Sequence, residues 1–183
     1  MRLPNLVCAA GGVLLLALLS GCVPTDASPQ PEPTPTFVAP YASDEEALAA
    51  AEEAYAEYVR VTGAVYGESL GDPADLSTVA TGDHLDELVD ALSRLEADEQ
   101  YIVGEQTFDQ VILQRYSRDE SNSEVLAVYL CDDLSGLAIY SGGEKVGPEK
   151  PITPAQMQVV FDYSPESKSL LVSARDIWSS ESC

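Results

Sequence analysis

The chain reads as an α+β domain in which N-terminal helices pack on an antiparallel sheet. Three observations lead there. Apolar residues recur at helical spacing as far as about residue 98, and at strand-like spacing from Tyr101 onward. Short turn clusters rather than helices separate the later runs, so antiparallel pairing is expected instead of βαβ crossovers. Hydrophobic residues are 45% of the 183, enough to bury a core despite a net charge of −22.

The first helix is predicted over about 44–64. Ser43-Asp44-Glu45-Glu46 has the form of a capping box with acids in the first turn, where the helix dipole favours them. Leu48, Ala51, Tyr55, Tyr58, Thr62 and Val65 follow at helical spacing, and Gly63 and Gly67 weaken the end. Asp72-Pro73 is an N-cap followed by proline at the first helical position, opening a short helix with Leu76 and Val79 inward. A third helix after Thr81-Gly82 carries Leu85, Leu88, Val89, Leu92 and Leu95 on one stripe and ends near Asp98.

Five strands are expected next. The first runs to about Ser117, with Val111, Leu113 and Arg115 on one face and Gln110, Ile112 and Gln114 on the other. Arg118 to Ser123 is a turn cluster, and Val125 to Cys131 the second strand, broken by Asp132-Asp133-Leu134-Ser135-Gly136. Leu137 to Tyr140 is the third. Gly142-Gly143 through Pro154 reads as a polar excursion without regular structure. Gln156 to Tyr163, with Met157, Val159, Phe161 and Tyr163 on one face, is the fourth, and Leu170 to Trp178 the fifth.

The residues ahead of this domain, 43–183, say how it is held. Met1 and Arg2 are followed by an uncharged stretch, Leu6 to Leu19, whose length falls short of the roughly 20 residues a membrane-crossing helix needs. Leu19-Ser20-Gly21-Cys22 resembles the bacterial lipobox, an aliphatic and two small residues ahead of cysteine. The resemblance implies removal of residues 1–21 as a lipoprotein signal peptide and a lipid-modified Cys22, with acyl chains that hold the chain on the extracytoplasmic side of a bacterial cell membrane. Two acyl chains at roughly 0.8 kcal/mol per buried CH₂ suffice for stable anchoring. Residues 22–42 form a tether in which Pro24, Pro29, Pro31, Pro33, Pro35 and Pro40 favour extended polyproline II. At about 3.1 Å per residue its stretch from Val23 to Pro40 reaches roughly 55 Å, a stalk between membrane and domain.

The element order also resembles the nuclear-transport-factor-2-like superfamily, in the Ala/Tyr-rich first helix with Tyr55 and Tyr58, the short Asp72-Pro73 helix, and the long last strands ending in Asp176-Ile177-Trp178. The resemblance implies a cone formed by helices and a strongly curved sheet, a fold that hosts enzymes, binding modules and structural domains alike.

With Cys8 removed and Cys22 acylated, Cys131 and Cys183 remain in an oxidising compartment, and a disulfide between them is expected. Closing that loop is worth about 4 kcal/mol in the chain-entropy model. Its role is structural, since no C-x-x-C appears.

Charge and motif content exclude several functions. Thirty-one acids against nine bases argue against nucleic acid as a partner, because phosphate binding needs Lys and Arg to displace counterions. The same charge favours a soluble monomer through self-repulsion. His84 is the only histidine and is expected on an exposed helix face; without further His or Cys ligands no metal site is expected, and no cofactor motif is present. Asp109, Asp162 and Asp176 fall in strands, with Asp109 and Asp162 expected on solvent faces. Tyr55, Tyr58, Tyr116 and Tyr129 are candidates to line an interior, Tyr55 and Tyr58 as helix-packing residues. No catalytic residue is assigned. The expected function is a non-enzymatic binding or envelope-support domain on a lipid anchor. The alternatives are a small-molecule-binding cone, or a cone-cavity isomerase or hydrolase using a buried Asp and Tyr, where burial raises a carboxyl pKa for proton transfer.

Overall fold

The computed structural model describes residues 39–117, 124–179 and 183. The expected signal peptide, Cys22, most of the expected tether and the turn expected over Arg118–Ser123 lie outside the described residues. The fold is α+β: helices α1 (Asp44–Val65), α2 (Pro73–Leu76) and α3 (Gly82–Ala97) precede seven strands, β1 (Gln100–Val103), β2 (Thr107–Tyr116), β3 (Glu124–Asp133), β4 (Ala138–Ser141), β5 (Glu144–Gly147), β6 (Ala155–Ser164) and β7 (Ser169–Ser179). Two antiparallel sheets result, one in the order β2-β3-β6-β7 and a smaller one in the order β1-β4-β5.

The expected capping at the start of α1 is present: Ser43 accepts from the Glu46 backbone N–H, while Glu46 reaches back to the Ala42 N–H. Its buried stripe is Ala47, Ala51, Tyr55, Tyr58, Thr62 and Val65, with Val61 beside it. Leu48 is only half-buried; Ala47, four residues before Ala51, takes the place expected for it. In α3 the fully buried stripe is His84, Leu88 and Leu92, spaced by four, and Leu85, Val89 and Leu95 lie on its flank.

Five strands become seven for local reasons. Gln100–Val103 is a separate strand because Gly104, at φ +118°, breaks it from β2, and a Cβ there would stand 2.0 Å from the Gly136 carbonyl oxygen. That approach fastens the β1–β2 link against the β3–β4 turn. The excursion after Tyr140 contains a hairpin instead: Gly142 and Gly143 both take positive φ, the two-residue turn that joins β4 to β5. The second strand does not break at Asp132 but runs through it to Asp133.

The larger sheet is bent by register shifts in each of its pairings. In β2 the first shift follows Asp109, with Gln110 at φ 53°, and the second makes Tyr116 rather than Arg115 pack on the core. The core lies between α1, α2, α3 and the sheet face bearing Leu126, Val128, Leu130, Met157, Val159, Phe161, Leu170 and Val172. A parallel bridge, Ala80 to Val172, holds the α2–α3 link against β7.

Both ends of the domain are fastened. The Tyr116 hydroxyl donates to the Tyr41 carbonyl at 2.8 Å and accepts from its N–H at 2.7 Å, and the Tyr41 ring meets those of Tyr116 and Tyr163. Packing thus begins at Tyr41, two residues before the expected domain start. Cys131 and Cys183 form the expected disulfide, with Cα atoms 5.9 Å apart and a sequence separation of 52. Replacing both cysteines by serine is expected to lower unfolding free energy by up to about 4 kcal/mol; urea denaturation of the oxidised and variant chains measures it.

Candidate functional site

The most distinctive chemistry lies in the core. Asp132, at the end of β3, has the same alternation as Leu126, Val128 and Leu130, so its side chain points inward with theirs. Its side chain is 1% exposed and forms an ion pair with the Arg175 guanidinium, itself 19% exposed, through Nη2. Arg175 comes from β7, and β6 lies between the two strands, so the pair bridges across a neighbour.

Two more side chains complete the cluster. The fully buried Tyr55 hydroxyl of α1 donates to Asp132 Oδ2 at 3.0 Å and accepts from Arg175 Nε at 3.0 Å. Gln106, in the β1–β2 link, donates through Nε2 to Oδ1 at 2.8 Å and Oδ2 at 3.0 Å. Burial opposes charge on Arg175, but Tyr55 and Asp132 outweigh it and hold its pKa above the ordinary value. Burial is the main cause of the raised Tyr55 pKa.

Tyr55 stacks on Tyr58, with centroids 5.4 Å apart, and Tyr58 on His84 at 5.7 Å. The Tyr58 hydroxyl lies 3.1 Å from His84 Nε2, and His84 Nδ1 lies 3.3 Å from Glu87 Oε2. With Nδ1–H donating to the carboxylate, Nε2 accepts the Tyr58 proton, and every polar atom of the buried ring is used. Burial pushes Tyr58 up to about 12, so it stays a neutral phenol at physiological pH. His84 is therefore buried, 7% exposed, and not on the exposed face expected of it. Burial lowers its pKa against the pull of Glu87, which keeps the neutral ring favoured.

An open groove of about 570 Å³ reaches this cluster between α1, α3, β1 and the β3–β4 turn. Val59, Leu88, Ala91, Ile102, Leu134 and Leu137 supply its apolar walls, and Tyr58, Gln106 and Arg175 its polar end. Gly63 of α1 lines it too, where a Cβ would meet nothing within 4 Å and φ is not positive. Glycine there costs the helix about 1 kcal/mol relative to alanine, with no local backbone need to explain it. A second hollow, of about 640 Å³, is flanked by Glu53, Glu57, Arg60 and Lys168, and Arg60 is held by Glu57.

Of the remaining candidates, Asp109 and Asp176 are exposed and Asp162 is half-buried rather than solvent-facing. Tyr116 clamps Tyr41, and Tyr129 rests against the exposed Trp178 at 4.7 Å between centroids, so neither joins Tyr55 and Tyr58 inside. Among the described residues no three His, Cys, Asp or Glu converge as a metal site, and no helix is long and apolar enough to cross a membrane. Asp132, Arg175 and Gln106 were not among the sequence candidates; the alternation of β3 was the signal that reaches Asp132.

Comparison with known proteins places the fold and little more. No protein-family model matches the chain, and no curated protein matches it. Among solved structures, the crystal structure of the intermembrane space region of the chloroplast protein ARC6 is similar, with a TM-score of 0.52 and 11% identity, over 71% of this chain and 95% of that one.

Two predictions follow from the cluster. Asp132→Leu alone strands Arg175 without its carboxylate and is expected to cost about 3–5 kcal/mol, whereas Asp132→Leu with Arg175→Met is expected to recover most of that loss; a double-mutant cycle in urea measures it. His84 refuses a proton when folded that the unfolded chain takes up as pH falls below about 6.5. Stability present at neutral pH is then lost as pH falls toward the lowered folded pKa. The Tm is expected to drop from pH 7 to 5 and to drop less in His84→Gln, where Glu87, Tyr58, Arg175 and Asp176 face an uncharged group.

Proposed function

We propose that the chain is a lipid-anchored extracytoplasmic protein whose α+β domain is a binding module, with the groove between α1, α3 and β1 as its ligand site. Anchoring rests on the lipobox-like Leu19-Ser20-Gly21-Cys22 and the proline-rich stretch that follows it. The likeness to the nuclear-transport-factor-2-like superfamily belongs to the same reading, as a cone in which the groove is the mouth.

One observation carries binding over catalysis. A cone-cavity isomerase needs a buried carboxylate free to take a proton, and Asp132, the buried carboxylate beside Tyr55, accepts from Arg175, Tyr55 and Gln106 together. Oδ2 is taken by all three donors and Oδ1 by Gln106, so the carboxylate serves as the fixed anion of a buried ion pair. The groove's apolar walls with a few convergent polar groups at one end are the usual form of a small-molecule site.

The anchor is tested by fractionating cells that express the chain and its Cys22→Ala variant. The parent is expected with the membranes, its N-terminus mass-shifted by acyl chains on Cys22, and the variant to keep residues 1–21 and carry no acyl chain. A parent that fractionates as soluble with an unmodified cysteine overturns the anchor.

A further inference from the structure

Building on the groove as a ligand site, we infer that its ligand is an uncharged, largely apolar molecule bearing a carbonyl-type acceptor, which docks on Arg175. The guanidinium has five N–H donors, and the protein uses only two of its three nitrogens: Nε on Tyr55 and Nη2 on Asp132. Nη1 has no hydrogen-bond partner among the described residues, and it is not among the buried atoms left without one. It is therefore in reach of water, on a residue that lines both the groove and a smaller hollow of about 400 Å³ beside Pro151 and Ala155.

Gln106 shows the same asymmetry from the other side. Its Nε2 is spent on Asp132 and Tyr55, while Oε1 makes no hydrogen bond among the described residues and is likewise not a buried orphan. The polar end of the groove thus offers a charge-assisted donor and a neutral acceptor, held rigidly because their other atoms are locked in the buried cluster. Most of the remaining wall is apolar, with Thr62, Glu105 and the Glu57-bound Arg60 among its other polar members, so a ligand that fills the groove satisfies one polar end and buries a hydrocarbon body against the rest.

Charge decides against an anion. Asp132 already neutralises Arg175, and a second carboxylate would face that ion pair in a chain of net charge −22. A neutral carbonyl gains the hydrogen bond without that repulsion. Gly63, exposed on α1, adds open space to the groove where a side chain would otherwise stand.

Three probes with one body separate the terms: 1-naphthaleneacetamide, 1-naphthaleneacetate and 1-ethylnaphthalene. They are titrated by amide chemical-shift change into the expected mature chain, residues 22–183, carrying Cys22→Ala, so that no detergent is present. The amide is expected to bind at least ten-fold tighter than the ethyl compound and tighter than the acetate. In Asp132→Leu/Arg175→Met, whose paired change keeps the core uncharged and folded, amide and ethyl probes are expected within two-fold of each other. Gly63→Trp is expected to weaken all three at least ten-fold with no loss of Tm. An amide preference that survives the double variant, or an acetate that binds best, overturns the ligand class. Equal binding of all probes that Gly63→Trp still abolishes overturns it too, while sparing the groove as a site. Absence of binding by any probe, or binding indifferent to Gly63→Trp, overturns both.

Discussion

The arrangement of this domain turns on one ion pair placed where charges are costly. Moving Asp132 and Arg175 out of water carries a penalty of several kcal/mol each, and Coulomb attraction offsets it only if the remaining polar atoms find partners. Tyr55 and Gln106 supply those partners, and each comes from a different element. The pair therefore fixes more than the β3–β7 distance. It sets the rotation of α1 about its axis, because Tyr55 must reach both charges. It also sets the path of the β1–β2 link, because Gln106 must approach from the groove side. An apolar cluster of the same volume would tolerate sliding, whereas these hydrogen bonds admit one register.

The same cluster leaves the surface more acidic than the composition alone implies. Nine basic residues face thirty-one acids, and one of the nine is committed inside. Burial lowers the His84 pKa, so the ring offsets less negative charge at mild acidity than an exposed histidine does. Self-repulsion on such a surface loosens chain ends first, since ends have the fewest contacts. Both ends here are tied down. The clamp on Tyr41 sits at the Tyr116 end of β2, and the Cys131–Cys183 bond sits at the opposite end of the β2–β3 ladder, where Asp109 pairs with Cys131.

How much of this the sequence discloses depends on whether the signal is periodic. α1, α3 and the four long strands carry enough repeats for the period to stand out, and the α+β class follows from them. β1 and β5 are four residues each, too short for alternation to register, and only the Gly142-Gly143 pair marks the hairpin. Core polar residues were misjudged for a common reason: hydropathy places them outside by default. His84 continues the stripe of Leu88 and Leu92, and Asp132 continues that of Leu130, so position argued for burial where residue type argued against it. Arg175 is harder, because the register shift between Val160 and Phe161 moves β7 by one residue and takes Arg175 off the parity of Leu170 and Val172. No local pattern announces a shift whose purpose is a partner 43 positions away in the chain.

The proposed site follows from these constraints rather than being added to them. A guanidinium planted in a core to hold a carboxylate has a forked shape, and a single carboxylate and phenol do not use all of it. The unused edge must either find water or face a cavity, since an orphaned buried N–H is costly. The glycine opening at position 63 and the close approach of Gly104 to Gly136 leave a groove beside that edge. Rigidity and recognition then have one origin. The hydrogen bonds that lock Arg175 for stability also fix the direction of its free donors, so a ligand at the proposed site would meet a prearranged partner and would not have to order it.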